Sequence, residues 1–312
     1  MKKVLIPTKL EKVARELLTA TGRYEVIQDD AENLKKLAGE NPDAYAVIVR
    51  SNPVTPEIID SLPRLKLIVR AGTGFNTIDS QYARKKGIDV MNTPGANANA
   101  VAEEVIALML ADARYLVRAE ISTRAGKWEK KRFMGREITG KTVGLLGLGN
   151  IGQLVAKRLS GFEVKLLGYD PIVTLEQARA FNVEFTDVET IFAQSDYVSL
   201  HIPENAQTKK LVGLKLLSLM KDGATLINCA RAGIVDEDAV REVKKSKKIR
   251  FLNDVYAKDA EGVKSVTDIA DIMLPHLGAS TVEANTNAAR MAAEQIIEFD
   301  ETGTCSAIVN RA

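Results

Sequence analysis

The residues of this chain best suited to proton transfer are its two histidines, His201 and His276. Each follows a short apolar run, in YVSLHIP and DIMLPHLGAS. Imidazole is the common general acid or base near neutral pH. The small residues after His276 leave room for a flat ring, whereas Ile202-Pro203 after His201 is more typical of a turn over a bound ligand. We therefore favour His276 as the acid/base, although a lone histidine is more often structural.

Arg231 is the cation best placed to hold an organic acid. It follows the apolar run ATLINCA and is itself followed by small residues. A guanidinium binds a carboxylate through two parallel hydrogen bonds and polarises a carbonyl, which suits a 2-keto acid. The alternative is a structural ion pair with Asp236. A carboxylate that orients the histidine and raises its pKa is expected among the acids that end or follow the run IRFLND, which are Asp254, Asp259 and Glu261.

The segment GLGNIG carries the spacing of a dinucleotide-binding turn, between the apolar run VGLL and the amphipathic stretch QLVAKRL. Gly147 permits the tight turn, Gly149 lets backbone approach a pyrophosphate, and Gly152 lets the helix pack on the strand. Asp170 ends the next run, KLLGYD, where a carboxylate would bond the ribose hydroxyls and repel a 2′-phosphate. We predict binding of NAD(H) rather than NADP(H); the alternative is a glycine turn without a ligand.

These residues require elements that bring them together. Short apolar runs alternate with amphipathic stretches of helical length, the pattern of parallel α/β sheets. The first set of runs is KVLIP, YEVI, AYAVIVRS, LKLIVRAG and IDVMN, and the second is TVGLLGLG, KLLGYD, VEF, YVSLHIP, ATLINCA, IRFLND and DIMLPH. A long helix over Ala98–Val117 and a polar arm, RAGKWEKKRFMGREITGK, connect the sets. We predict two doubly wound units with the functional residues at the carboxyl ends of the strands.

Length and composition exclude several classes of protein. The 312 residues, 46% hydrophobic and 27% charged, suit two globular domains that each bury a core. The 43 basic and 41 acidic residues nearly balance, and Lys244–Lys248 (KKSKK) reads as a solvated helix end rather than a nucleic-acid patch. Cys229 and Cys305 are far apart, which argues against a disulfide scaffold or a metal site. With no secretory leader and no run of ~18 apolar residues, we expect a soluble, cytoplasmic protein with no membrane or nucleic-acid partner.

Six motifs in order resemble the D-isomer-specific 2-hydroxyacid dehydrogenase family over nearly the whole chain. They are VRAGTGFNTID, MNTPGANANAVAEE, GKWEKKRFMG, the GLGNIG loop, INCARAGIVDEDA and LPHLGAST. The arm motif GKWEKKRFMG is similar to the D-3-phosphoglycerate dehydrogenases in particular. The resemblance implies a flavodoxin-like substrate domain of residues 1–95 and 281–312, with a Rossmann NAD domain of residues 96–280 inserted. It also implies a homodimer built through the NAD domains and the arm, and a short form without a C-terminal regulatory domain.

The resemblance also implies a role for each site residue. His276 stands at the acid/base position, Arg231 at the arginine that binds and polarises the substrate, and Asp259 at the acid that serves the histidine. Asp254 would hold the nicotinamide carboxamide. The implied cofactor contacts are Thr73, Gly147, Gly149, Asn150, Ile151, Gly152, Asp170, His201, Pro203, Thr208, Cys229, Ala230, Arg231, Asp254, His276, Gly278 and Ala279. The implied substrate contacts are Arg50, Ser51, Gly72, Gly74, Asn76 and Arg132, with Lys131 as a further cation for a phosphate.

The chain departs from the family pattern at three places. Ala232 replaces a glycine after Arg231, and Asp259-Ala260 replaces Glu-Pro, with Glu261 as a competing partner for the histidine. The loop SNPVT after Arg50 is one residue shorter and lacks a basic residue. The resemblance implies interconversion of 3-phosphoglycerate and 3-phosphohydroxypyruvate in serine biosynthesis. The alternatives are a D-lactate, glyoxylate or hydroxypyruvate reductase, and a non-catalytic NAD(H) sensor, against which the presence of both a histidine and an arginine argues.

Overall fold

The computed structural model describes residues 1–31, 33–257 and 262–311. The chain divides into two compact units, which we call unit 1 (residues 1–97 with 280–312) and unit 2 (residues 98–279). The limits of these units differ by one or two residues from the predicted domain limits, 95/96 and 280/281. In the described ranges, no helix is both long enough and apolar enough to cross a membrane.

The elements alternate as the apolar runs predicted. The strands are β1 (Lys2–Ile6), β2 (Tyr24–Gln28), β3 (Ala46–Val49), β4 (Leu67–Arg70), β5 (Asp89–Asn92), β6 (Thr142–Leu146), β7 (Lys165–Tyr169), β8 (Glu184–Phe185), β9 (Tyr197–Leu200), β10 (Thr225–Asn228), β11 (Arg250–Asn253) and β12 (Ile272–Met273). The α-helices are α1 (Val13–Ala20), α2 (Leu34–Glu40), α3 (Pro56–Asp60), α4 (Ser80–Lys85), α5 (Ala98–Ala113), α6 (Leu116–Arg124), α7 (Asn150–Leu159), α8 (Leu175–Ala180), α9 (Val188–Gln194), α10 (Leu214–Leu219), α11 (Glu237–Lys244) and α12 (Val282–Thr302). Short 3-10 helices span Lys130–Phe133, Ser160–Phe162 and Ala232–Ile234.

Unit 1 is built on a parallel sheet in the order β2-β1-β3-β4-β5. This is the flavodoxin-like order of a doubly wound sheet. β3 and β5 are buried along their whole length because helices cover both faces. The last helix, α12, packs against α1 and places a row of buried alanines in the core, Ala288, Ala289, Ala292 and Ala293. Residues near the end of the chain therefore complete the core that residues near its beginning started.

Unit 2 is built on a second parallel sheet, in the order β12-β11-β10-β9-β6-β7-β8. Counted from β6, the first six strands have the order 3-2-1-4-5-6 of the Rossmann fold. Helices α5 and α7 cover one face, and α9, α10 and α11 cover the other. The prediction of two doubly wound sheets is confirmed. The order reverses between β6 and β9, and ligands of such sheets bind outside the carboxyl ends at this point.

The single long helix predicted over Ala98–Val117 is wrong in its last turn. Helix α5 ends at Ala113, and Tyr115 has a left-handed backbone with φ of 52° before α6 begins. The carbonyl oxygen of Ala113, at the end of α5, accepts the Arg136 amide of the polar arm at 2.9 Å. This bond joins residues that are distant in sequence, and the local apolar pattern contains no sign of it.

Candidate active site

The glycine turn after β6 has no room for side chains at two of its positions. Gly147 has φ of 103°, and a Cβ there would lie 2.7 Å from the backbone of His201. A Cβ at Gly152, in the first turn of α7, would lie 2.1 Å from the Gly147 carbonyl oxygen. These two glycines are therefore required for α7 to begin beside the end of β9.

Gly149 is different, because the protein itself does not require a glycine there. Its φ is −71°, which any residue adopts, and apart from the adjoining residues of its own chain segment no atom of the described residues lies within 4 Å of the position of a Cβ. Gly149 is the N-cap of α7, and no side chain caps this helix end. α7 has ten residues, and its first amides, at Asn150 and Ile151, receive no acceptor from a capping side chain. An open helix N-terminus beside a residue without a side chain fits the pyrophosphate of a dinucleotide.

Asp170, at the end of β7, is fixed beside this turn by backbone amides. Its Oδ2 accepts the Leu148 amide at 2.8 Å, and its Oδ1 accepts the amides of Ile172 and Val173 at 2.8 and 3.2 Å. A carboxylate has about four lone-pair sites. Asp170 therefore keeps acceptor capacity for a ribose hydroxyl while its orientation is set by the chain.

His201 follows β9, and its environment does not suit a general acid. Its amide donates to the Leu146 carbonyl at 2.7 Å, which holds the residue against the end of β6. Burial lowers the pKa of His201 to about 4, so the imidazole is neutral at pH 7. Its Nε2 is buried and has no hydrogen-bond partner among the described residues. This environment favours His276 over His201 as the proton donor.

Arg231 lies in a turn after β10 that Asn228 holds in place. The Asn228 side chain accepts the Ala230 amide at 3.1 Å and donates to the Arg231 carbonyl at 3.0 Å. The Arg231 guanidinium donates to the Ala230 carbonyl at 2.7 Å. Asp236, the alternative partner, pairs with Lys210 at 3.5 Å, and the described part of the chain shows no ion pair between Asp236 and Arg231. Most of the guanidinium donors therefore remain for a ligand.

The loop that carries His276 follows β12 and is held by Asp254. His276 has φ of 58°, a left-handed conformation that is uncommon without glycine and clusters at functional sites. Asp254 is fully buried, and its two carboxylate oxygens accept the amides of Leu277 at 2.8 Å and Gly278 at 3.0 Å. The family resemblance implied that Asp254 holds the nicotinamide, and the sequence also named it among three acids that could orient the histidine. Its bonds to the backbone of the loop were not predicted. Unit 2 thus brings the glycine turn, Asp170, His201, Arg231 and Asp254 to the carboxyl edge of one sheet.

Unit 1 places its own set of predicted residues at the carboxyl ends of β3 and β4. Arg50 follows β3 and donates from Nη2 to the Asn285 side chain at 2.8 Å. Thr73 donates to Asn97 at 3.0 Å. The set at this edge comprises Arg50, Ser51, Gly72, Thr73, Gly74 and Asn76.

The remaining predicted residues lie in a turn, in the arm or outside the described ranges. Thr208 donates to the Pro203 carbonyl at 2.6 Å, in the turn that follows β9. Arg132 lies in the arm, where its side chain is 68% exposed and pairs with Glu129 at 3.1 Å. Asp259 and Glu261, the candidates for the acid that serves His276, lie outside the described residues.

Two residues that the sequence interpretation did not single out occupy these edges. Arg70 ends β4, and its Nε donates to the Arg50 carbonyl oxygen at 3.1 Å. Glu104 lies on α5, close to Gly278 and Asp254. Both belong to quoted motifs, VRAG and AVAEE. The sequence could have identified Arg70, because it is an arginine at the end of an apolar strand. It could not have identified Glu104, because no local feature distinguishes it from its neighbour Glu103.

Known proteins that resemble this chain fall in one family. The family model described as D-isomer specific 2-hydroxyacid dehydrogenase, NAD binding domain, matches residues 106–278. A hydroxypyruvate reductase of Thermotoga maritima is 39% identical over 307 residues, which cover 96% of this chain and 98% of the relative. A D-3-phosphoglycerate dehydrogenase of Archaeoglobus fulgidus is 40% identical over 301 residues, which cover 95% of this chain but 57% of the relative.

Among solved structures, the NAD+-bound 3-phosphoglycerate dehydrogenase of Entamoeba histolytica superimposes with a TM-score of 0.81 at 31% identity and covers 99% of each chain. This chain therefore belongs to the D-isomer specific 2-hydroxyacid dehydrogenase family of NAD-dependent enzymes.

Proposed function

We propose that this chain interconverts 3-phosphoglycerate and 3-phosphohydroxypyruvate with NAD(H), as a step of serine biosynthesis. The observation that carries the proposal is a pair of arginines at neighbouring strand ends of unit 1. β3 and β4 pair in parallel, with Val49 opposite Arg70, and Arg70 donates to the Arg50 carbonyl. Two arginines at one sheet edge favour a ligand with several negative charges, such as a phosphorylated acid.

The charge of Arg50 supports this assignment. Its guanidinium donates to Asn285, which is neutral, and no carboxylate of the described residues forms an ion pair with it. An arginine that is partly buried with a neutral partner keeps donors for an anionic ligand. We propose that unit 1 is the substrate domain and that unit 2 is the NAD domain.

We propose that Arg231 and His276 carry the chemistry at the second edge. NAD, when bound, accepts the hydride from the hydroxy acid or, as NADH, returns it to the keto acid. Arg231 holds the substrate carboxylate and polarises the carbonyl, and protonated His276 donates to the oxygen that becomes the hydroxyl. In the oxidative direction neutral His276 removes that proton. Asp254 holds the backbone that presents the imidazole.

A hydroxypyruvate reductase is the second candidate, and two observations favour it. A relative of that name in Thermotoga maritima is 39% identical over 307 residues. The loop SNPVT, which follows Arg50, contains no basic residue. Both features are compatible with a substrate that lacks a phosphate.

The test is kcat/KM for phosphohydroxypyruvate compared with hydroxypyruvate, glyoxylate and pyruvate, followed by NADH oxidation. Each charge-assisted contact is worth ~1.5–3 kcal/mol, so two contacts separate the phosphorylated and unphosphorylated acids by roughly two to four orders of magnitude. Arg50→Gln and Arg70→Gln should each lower this preference at least tenfold, while Arg64→Gln, an exposed arginine of the same unit, should leave it unchanged. If kcat/KM for phosphohydroxypyruvate and for hydroxypyruvate agreed within a few-fold, the enzyme would be assigned to hydroxypyruvate. If no acid were turned over, a non-catalytic NAD(H) sensor would be favoured.

We also propose that the protein acts as a homodimer in the cytoplasm. The dimer is supported by apolar side chains exposed on α6 and the arm, among them Ile121 and Trp128. The compartment is supported by Cys229 and Cys305, which are free thiols as in proteins of reducing compartments.

A further inference from the structure

Three titratable side chains from different elements meet behind the loop that carries His276. Glu104 comes from α5, Cys229 follows β10, and Asp254 follows β11. A Cβ at Gly278 would lie 3.1 Å from Glu104 Oε2 and 3.5 Å from Asp254 Oδ2. The two carboxyl groups therefore border the same small space, which the backbone of the loop also lines.

These two carboxyl groups cannot both be ionised at low cost. Asp254 is fully buried, and Oε2 of Glu104 is buried with no donor among the described residues. Two buried carboxylates in contact would repel each other in a medium of low dielectric constant. A hydrogen bond between Glu104 and Asp254 relieves this repulsion, and it exists only when one of the two groups carries a proton.

The hydrogen bonds of the cluster indicate which group holds the proton. Asp254 accepts two backbone amides, and bonds of this kind stabilise the charged form. No backbone amide of the described residues stabilises Glu104 in this way. Its burial, followed by the charge of Asp254, raises its pKa to about 7 and outweighs the hydrogen bond with Cys229, which lowers the pKa. Burial also raises the pKa of the Cys229 thiol well above its ordinary value, so the sulfur does not add a negative charge.

No positive charge in the described ranges compensates Glu104. The groups that shift its pKa are Asp254 and Cys229. Helices α7 and α6 both contact α5. Arg158 of α7 lies 3.9 Å from Glu103, the exposed neighbour, and Arg118 and Arg124 of α6 pair with Asp271 and Glu120.

We propose that Glu104 is a positioning residue, which as a protonated acid donates a hydrogen bond to the Asp254 carboxylate and thereby fixes the loop that presents His276. The inference rests on the proposed role of His276 as the acid/base. When Glu104 ionises, it repels Asp254 and loosens the two amide bonds to the loop. Catalysis in the oxidative direction should therefore decline as the pH rises above about 7.

The first test uses the intact protein without substrate, so it does not depend on the proposed reaction. The pKa of Glu104 rises from 4.5 when unfolded to about 7 when folded, so the folded state retains a proton that the unfolded chain releases between these values. Stability that depends on this group is therefore lost as the pH rises from 4.5 to about 7. Glu104→Gln, which keeps a donor and cannot ionise, should gain stability relative to the natural protein over this interval.

Unfolding in urea across the pH range measures this difference. Glu103→Gln is the matched control, because Glu103 is exposed on the same helix and its substitution should give a difference without pH dependence. A difference for Glu104→Gln that stays constant with pH would show that Glu104 ionises normally and would overturn the proposal. Loss of the infrared band of a protonated carboxylic acid in Glu104→Gln, but not in Glu103→Gln, is the supporting result.

The second test separates positioning from mere packing. In oxidation the proton moves from the substrate hydroxyl to His276, so this step does not require the protein to keep a proton at alkaline pH. The decline of kcat/KM above about pH 7 should disappear in Glu104→Gln and remain in Glu103→Gln. Glu104→Ala lacks the hydrogen-bond donor, so its kcat should be at least tenfold lower than that of the natural protein. An alkaline decline that persists in Glu104→Gln contradicts the proposal. Full activity of His276→Asn would instead refute the proposed function, and it would leave the unfolding and infrared results as they are.

Discussion

Backbone amides hold the two acidic residues on which the proposed NAD site depends. Asp170 accepts three amides and Asp254 accepts two, all at distances between 2.8 and 3.2 Å. A carboxylate bound in this way cannot rotate without breaking charge-assisted bonds. Its remaining lone pairs therefore point in a fixed direction, and this preorganisation lowers the entropy that ligand binding costs.

At Asp170 this fixed acceptor should decide between the two nicotinamide cofactors. We expect the natural protein to bind NADH much more tightly than NADPH, because the carboxylate bonds the ribose hydroxyls and repels a 2′-phosphate. Asp170→Ala should weaken the binding of NADH by ~1.5–3 kcal/mol. The difference in affinity between NADH and NADPH, measured by fluorescence titration, should therefore become smaller. Asp170→Asn keeps the shape and one acceptor, so it isolates the contribution of charge. Equal affinities in the natural protein would refute the role assigned to Asp170.

At the scale of elements, the start of α7 separates a glycine that the fold requires from one that the fold does not require. Gly152 has the Gly147 carbonyl in the place of a Cβ, whereas Gly149 faces open space. The two positions are three residues apart in one motif. Their different surroundings allow stability and binding to be separated experimentally.

Gly149→Ala should leave folding nearly unchanged but impair cofactor binding. Its φ of −71° suits alanine, so unfolding in urea should shift by less than about 1 kcal/mol. The added methyl group would occupy space that we assign to the pyrophosphate, and the Kd for NADH should rise at least tenfold. Gly152→Ala is the contrasting variant, because it must displace backbone and should destabilise the fold itself. Unchanged NADH affinity in Gly149→Ala would contradict the assignment of the pyrophosphate to this position.

The elements that the sequence predicted well are those whose signal is local. Strand β3, which is buried along its whole length, reads as a continuous apolar run. The break after α5 was missed because the contact that accompanies it, with Arg136, lies more than twenty residues further along the chain. Glu103 and Glu104 are adjacent and chemically identical, and only the fold decides that one pairs with Arg158 while the other is buried beside Asp254.

At the scale of the whole molecule, both units share one architecture. Each has a parallel sheet with its candidate residues at the carboxyl ends of the strands, where ligands of such sheets bind. Unit 1 is made of two segments of the chain, and its core includes alanines of α12. Arg50, which we propose binds the substrate, donates to Asn285 of the other segment, so the proposed site depends on the return of the chain as much as the core does.

The apolar surface of α6 and the arm is the feature of the molecule that we assign to self-association. Helix α6 has no buried residue. The exposed side chains are Leu116 (54%), Val117 (46%), Ile121 (62%), Trp128 (87%) and Met134 (82%). Large exposed apolar patches on globular proteins mark interaction sites. A second copy of this chain is the partner that the proposed homodimer requires.

Substitution of this surface should therefore change the oligomeric state. We expect the natural protein to sediment as a dimer of the 34.0 kDa chain, and Ile121→Glu combined with Trp128→Glu to sediment as a monomer, because buried charges without partners oppose association. Val282→Glu is the matched control, since this valine is 73% exposed but lies on α12. It should remain dimeric. A natural protein that sediments as a monomer at all concentrations, or a double variant that stays dimeric, would show that α6 and the arm do not form the interface.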